Sequence, residues 1–289
     1  MRWQRAARWL WFFMGFALAS AHAAHEPSEV AFASLDGKTA LKGYLFQPAT
    51  PGPWPAVVMM HGRAGPYSAA AKGVYDATTL SLRHKQWGRF WAERGYLALH
   101  VDSFGPRGYP QGFPIGSYSR RPAEVDEQRV RPLDAYGALA WLRTRDDVIR
   151  QRIGLQGWSN GAMAALAILD RDAPGISSPD PDRGFRAALI FYPGCRVQLA
   201  KDYHPYAPAI MFIASNDEEV APLPCSQMTE RVKARGVNDF EMVWYDGATH
   251  SFDDPGKRRQ SVPANREARS DSMVRAEQFF ETRLKSAAP

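Results

Sequence analysis

Only two cysteines, Cys195 and Cys225, occur among the 289 residues of this chain. So few thiols exclude a small disulfide-dense scaffold and leave no paired C-x-x-C motif for zinc. The seven histidines are dispersed, no H-E-x-x-H pattern is present, and the glycine-rich segments lack a nucleotide fingerprint. Neither a metal nor a cofactor is expected. Charge of one sign is also scarce, since 36 Lys and Arg stand against 30 Asp and Glu, a formal +6. The charges are interspersed, and the densest basic cluster, Lys257-Arg258-Arg259, reads as a solvated loop, so nothing points to a nucleic-acid partner.

Long apolar runs are confined to the start of the chain. Arg2, Arg5 and Arg8 form a positive region, residues 9–19 a compact apolar stretch, and Ala21-His22-Ala23 a small-x-small cleavage site, which together read as an export signal. The stretch falls short of the ~20 residues that span a bilayer, and no second one follows. Residues 1–23 are therefore expected to be a cleaved signal peptide and residues 24–289 a single domain, periplasmic or secreted, without a stable membrane anchor. Loss of the three arginines takes the formal charge to +3. In an oxidising compartment Cys195 and Cys225 are expected to pair, because each lies just beyond a predicted strand and neighbouring parallel strands bring such ends together.

Short apolar or β-branched runs alternate with longer helical patterns, which predicts an α/β fold with a mostly parallel sheet of about eight strands covered on both faces. Strands are expected at residues 30–35, 41–47, 56–60, 97–101, 153–156, 187–192, 209–214 and 240–245, the first two joined as a hairpin through Asp36-Gly37. Helices are expected at 81–94, 126–143, 160–169, 225–235 and 266–285. The Pro- and Gly-rich stretches 104–122 and 174–184 are candidate rims or partial lids. Ligands of such sheets bind beyond the carboxyl ends of the strands, so functional residues belong just after strands.

Gly157-Trp158-Ser159-Asn160-Gly161 satisfies that rule. It follows the predicted strand 153–156 and opens the small-residue helix 160–169, which is the strand-to-helix setting of a G-x-S-x-G nucleophile elbow. A serine hydroxyl is a poor nucleophile at neutral pH and needs a base, itself oriented by an acid. Asp217 after the strand 209–214 and His250 after 240–245 supply these in the chain order serine, acid, histidine. Glu218 and Glu219 compete with Asp217, and His61, His84, His100 and His204 with His250, but position and order favour the pair chosen. The strand 56–60 runs into His61-Gly62-Arg63, where the backbone N–H of Arg63, or alternatively Gly62, is expected to join that of Asn160 in holding an oxyanion. Trp158, Phe104 and Tyr192 are candidates for an apolar substrate pocket, alongside their ordinary role in core packing.

Met60-His61-Gly62, the run Val101-Asp102-Ser103-Phe104-Gly105-Pro106-Arg107-Gly108, the elbow, Tyr192-Pro193-Gly194-Cys195, the Asp217 loop and Ala248-Thr249-His250-Ser251-Phe252-Asp253 resemble the dienelactone hydrolase family of α/β-hydrolases across most of the mature chain. The resemblance implies an α/β-hydrolase catalytic domain without a separate cap and with Ser159, Asp217 and His250 as the triad. The family's founding enzymes carry cysteine at the elbow and a glutamate near the oxyanion turn. Here Ser159 and His61 stand there, and Ala162 replaces the usual second glycine after the elbow. The expected activity is cleavage of a small-molecule carboxylic ester or lactone through an acyl-enzyme, rather than of dienelactone itself. An amidase, peptidase or acyltransferase would use the same triad, and a non-catalytic binding protein on the same scaffold is the reading from another class. The oligomeric state has no signature in the sequence.

Overall fold

Val57, Val58, Met59 and Met60 are all fully buried, yet they belong alternately to two separate apolar clusters, one on each side of a central sheet. A strand covered on both faces requires such an unbroken apolar run. The computed structural model describes residues 26–286, so the leader read in residues 1–23 lies outside them. Its eight strands are β1 Ser28–Ala33, β2 Ala40–Phe46, β3 Trp54–Met60, β4 Leu97–Asp102, β5 Val148–Trp158, β6 Ala187–Phe191, β7 Ala209–Ala214 and β8 Phe240–Tyr245. They lie in the order β1-β2-β4-β3-β5-β6-β7-β8. The β1–β2 and β2–β4 pairs are antiparallel and every other pair is parallel.

Helices α1 Leu82–Glu93, α2 Arg131–Arg143, α3 Asn160–Leu169, α5 Leu223–Ala234 and α7 Pro263–Phe280 cover the sheet, joined by the short α4 Arg196–Ala200 and α6 Lys257–Gln260. Trp87 and Trp91 of α1 and Phe280 of α7 pack with Met59, Phe191 and Phe212 on one face. On the other, Leu139 of α2, Leu166 of α3 and Val232 of α5 pack with Val58, Ile190 and Met211. The alanines of α3 bring it close to the sheet, and all but Met163 of its ten residues are buried. No helix among the described residues is long and apolar enough to cross a membrane.

All eight expected strands are present, and the hairpin closes at Asp36, whose Oδ1 accepts from the N–H groups of Lys38 and Thr39 at 2.9 and 2.8 Å. Many ends shift by one to three residues, and three differences are larger. β5 spans Val148–Trp158 rather than 153–156, since polar residues at its exposed start hide the strand pattern. α2 begins at Arg131 rather than 126, with Pro132 in its first turn. Lys257-Arg258-Arg259 forms the helix α6 rather than a loop. Residues 103–130, between β4 and α2, carry single 3-10 turns at Gly105–Arg107, Tyr118–Arg120 and Ala123–Val125 and no separate cap.

Cys195 and Cys225 form a disulfide, as expected, but by a different route. Cys195 does follow β6, whereas Cys225 sits in the first turn of α5 rather than at a strand end. The bridge therefore staples a helix to the segment beyond the sheet. Closing a loop of 30 residues restricts the unfolded chain by about 3–4 kcal/mol on the chain-entropy account. A Cys195→Ser, Cys225→Ser double variant is expected to lose stability of that order, read as a lower midpoint in urea with a somewhat steeper slope, since the uncrosslinked chain exposes more surface on unfolding.

Candidate active site

The strand order reverses between β3 and β5, which places the end of one beside the end of the other, with Met60 opposite Gly157. The turn His61-Gly62-Arg63 thereby runs alongside Trp158-Ser159-Asn160. Gly161 is required by this closeness, because a Cβ there would stand 2.0 Å from the Met60 carbonyl oxygen and 2.5 Å from that of His61. A Cβ on Gly157 would lie 2.4 Å from the Gly161 carbonyl oxygen. Between these glycines Ser159 adopts φ 51° and ψ −114°, a sparsely populated region that costs on the order of 1–3 kcal/mol. Its backbone is held on both sides, donating from N to the Phe191 carbonyl at 2.9 Å and accepting at O from Met163 N at 2.9 Å.

β7 and β8 are paired to their ends, Ala214 opposite Tyr245. Their following loops are tied by Asn216 N donating to the Ala248 carbonyl at 2.9 Å. This brings the three distant residues together. His250 Nε2 lies 2.9 Å from Ser159 Oγ, and His250 Nδ1 lies 2.7 Å from Asp217 Oδ2. Asp217 Oδ1 accepts from the N–H groups of Glu219 and Val220 at 2.9 and 2.8 Å, so the carboxylate is fixed by its own loop. The competing carboxylates lie elsewhere around the ring. Glu218 accepts from the His250 backbone N–H, and Glu219 Oε2 stands 3.7 Å from Nε2.

The N–H of Asn160 is at the first position of α3, where helix geometry provides no acceptor, and the helix dipole points its positive end to the same place. The peptide carrying the Arg63 N–H is oriented by His61. Its Nε2 accepts from Ser103 N at 3.2 Å, which leaves the proton on Nδ1, 2.7 Å from the Gly62 carbonyl. In a trans peptide that carbonyl and the Arg63 N–H point in opposite directions. His100 stacks between His61 and Trp158, and His84 packs at a tilt against both His100 and Trp158. Burial, aided by the nearby charges of Arg131 and Arg83, pushes His61 well below the usual histidine range and His100 down to about 3, and burial with His100 and Arg83 also takes His84 well below that range. They are neutral packing groups, not rival bases.

Sequence reasoning missed the clamp beneath both donors. Buried Arg131 donates from Nη1 to Asn160 Oδ1 at 2.6 Å and from Nη2 to the His61 carbonyl at 2.8 Å, while Asn160 Nδ2 donates to Glu127 Oε2 at 2.9 Å. Burial pulls the guanidinium down to about 10, which leaves it charged at neutral pH. A lone Arg opening a helix carries no sequence signal for this role.

Ser159 and Asn160 line a cavity of about 330 Å³, whose walls include Ile115, Tyr118, Met163, Val197 and Val220, with Arg63 and Glu219 at one side. Trp158, Phe104 and Tyr192 do not line it; all three are buried. Elbow geometry turns Trp158 inward, where its indole N–H and that of Trp87 donate to Asp253 Oδ2 at 2.9 and 2.8 Å. Tyr192 donates to Asp253 Oδ1 and lays its ring 4.7 Å from that of His250, a backing for the imidazole. Phe104 packs edge-on against His61 at 4.5 Å. The segment 104–122 does supply the rim, through Ile115, Gly116, Tyr118 and Arg121. The segment 174–184 does not, because its last carbonyls are bound by Arg143 just before β6 begins, at the opposite end of the sheet. Arg107 pairs with Asp36 and Asp134, while Asp102 accepts from Tyr67, so both are structural. A larger cavity of about 690 Å³, lined by Arg186, Pro208 and Asp239 at the strands' amino ends, holds no comparable chemistry.

A sheet of this order with a serine on a strained turn after β5 defines the α/β-hydrolase class. Within that class the chain belongs to the dienelactone hydrolase family, whose model matches residues 41–284. Esterase 2 of Thermogutta terrifontis, solved phosphorylated by paraoxon, has a similar fold, with a TM-score of 0.62 at 19% identity over 92% of this chain and 97% of that one. A dienelactone hydrolase-like promiscuous phosphotriesterase from metagenomic libraries gives a TM-score of 0.63 at 19% identity, over 89% of this chain and 97% of that one.

Proposed function

We propose that the protein is a serine hydrolase, periplasmic or secreted, that cleaves a small-molecule carboxylic ester or lactone through an acyl-enzyme. One observation carries this reading: the continuous chain Ser159 Oγ, His250 Nε2, His250 Nδ1, Asp217 Oδ2, with steps of 2.9 and 2.7 Å, whose serine end opens into a cavity lined by Ile115, Met163, Val197 and Val220 among others. Ser159 Oγ attacks the carbonyl carbon while His250 Nε2 takes its proton, and Asp217 holds the imidazole by Nδ1 and stabilises the imidazolium. The oxygen that gains the negative charge is received by the N–H groups of Asn160 and Arg63. The carbon–oxygen bond to the leaving alcohol then breaks, with the proton returned from His250. A water activated by the same nitrogen frees the acid and regenerates Ser159. The disulfide and the leader read in residues 1–23 support an oxidising compartment.

A fluorophosphonate probe mimics the attacked carbonyl and needs no knowledge of the substrate, and the similarly folded Thermogutta esterase is itself phosphorylated by paraoxon. Intact-protein mass spectrometry is expected to show one adduct per chain, mapped to Ser159, with parallel turnover of p-nitrophenyl acetate or butyrate. An amide cleaved faster than the ester of the same acyl group moves the reading to an amidase. A protein that neither accepts the probe nor turns over any acyl substrate overturns it.

A further inference from the structure

Arg63 does more than supply a backbone N–H. Its Nε and Nη2 donate to Glu219 Oε2 and Oε1 at 2.7 and 2.8 Å, a two-pronged ion pair with side chains only 19% and 10% exposed. Its Nη1 donates to the Phe113 carbonyl at 2.9 Å, and its own carbonyl accepts from Phe113 N at 2.8 Å. One residue thus fastens three segments: the turn after β3, the rim 104–122, and the loop after β7 that carries Asp217. Planar, bidentate pairing of this kind fixes geometry as well as charge.

Glu219 is also the carboxylate 3.7 Å from His250 Nε2, the nitrogen that faces Ser159. An unneutralised negative charge there favours the imidazolium and takes the base out of service. The other charged or titratable groups around the ring sit at different atoms. Asp217 holds Nδ1 and Glu218 the backbone N–H, with Arg259 of α6 paired to Glu218. Tyr192 packs edge-on behind, bound to Asp253 and to Arg83 of α1.

We propose that Arg63 and Glu219 are a positioning pair for the reaction above, locking the oxyanion turn to the acid loop while their opposite charges cancel at His250 Nε2. The proposal rests on the hydrolase reading. It accounts for a partly buried ion pair at the cavity wall, a kind of contact that is weak evidence for stability alone. Partial burial works to raise the Glu219 carboxyl, but the Arg63 guanidinium, with the nearby His250, holds it below the usual carboxylate range and therefore charged at neutral pH.

The test is the pH dependence of kcat/KM for p-nitrophenyl acetate in Glu219→Gln, Arg63→Gln, the double variant and Arg63→Lys. Glu219→Gln leaves Arg63 uncompensated, disfavours the imidazolium, and moves the acid limb down by about 1 pH unit. Arg63→Gln leaves Glu219 uncompensated and moves the limb up by a similar amount, with kcat lowered about 10- to 100-fold as the turn loosens. The double variant returns the limb close to its original position. Arg63→Lys keeps the charge without the fork, so the limb stays in place while kcat falls. If Arg63→Gln does not fold, Glu219→Gln and Arg63→Lys still make separate demands. Limbs that stay put or move the same way in an active, Ser159-labelled protein overturn the proposal. A wild-type protein that is neither labelled nor active overturns the hydrolase reading instead.

Discussion

Ser159→Ala is expected to lower kcat for a short-chain ester by about 10⁶-fold, to abolish fluorophosphonate labelling, and to leave KM and Tm close to those of the parent protein. Removing the serine alone from a triad costs about as much as removing all three members, because base and acid have no nucleophile left to activate. The residual rate over water, about 10³–10⁴-fold, comes from the oxyanion donors and binding alone. Here those donors are independent of the Ser159 hydroxyl. Asn160 is held through Arg131 and Glu127, and the Gly62–Arg63 peptide through His61. The backbone of Ser159 is fixed by Phe191 and Met163, so alanine inherits the same strained turn. Steady-state kinetics with thermal unfolding checks both halves. A variant that keeps a tenth or more of the parent kcat would show that another group is the nucleophile.

The parts of the site that could be read from sequence are those where backbone geometry leaves a residue pattern. Gly157 and Gly161 mark the elbow because any Cβ there meets backbone at under 2.5 Å. Asp217 and His250 are legible because one follows the fully apolar β7 and the other the aromatic-rich β8, and strand ends face one edge of the sheet. What stayed hidden depends on side chains that meet across the fold. Arg131 opens α2, 29 residues before Asn160, and Arg63 and Glu219 are 156 residues apart, so neither contact has a local spacing to betray it. The three candidate pocket aromatics took their core-packing role for a related reason. Trp158 ends β5 at the sharp elbow, while Phe104 and Tyr192 lie just past β4 and β6, and all three pack inward, against Asp253 and His61. The cavity is walled instead by residues from loops, whose course a one-dimensional pattern does not specify.

Asp217→Asn is expected to lower kcat by about 10⁴-fold while leaving the fold, the disulfide and the affinity for substrate intact. The size follows from the hydrogen bonds at this position. Asp217 uses its two oxygens differently: Oδ1 accepts from the backbone N–H groups of Glu219 and Val220, and Oδ2 faces His250 Nδ1. Asparagine keeps its carbonyl oxygen on the two backbone donors, since turning it round would oppose donors to donors. Its amide NH₂ then faces Nδ1 and requires that nitrogen to accept. The ring proton is forced onto Nε2, 2.9 Å from Ser159 Oγ, where a base must instead have a lone pair. Geometry is preserved and the tautomer is wrong. Raising the pH would recover activity only as hydroxide replaces the lost base, so kcat in the variant should climb steadily above neutral pH rather than level off. Asp217→Ala separates this effect from simple loss of the carboxylate, because it leaves His250 free to choose its tautomer. A smaller defect in Asp217→Ala than in Asp217→Asn is the outcome expected here. Equal, mild losses of less than about 10-fold in both variants would assign the orienting role to another group, with Glu219 the next carboxylate to the ring at 3.7 Å.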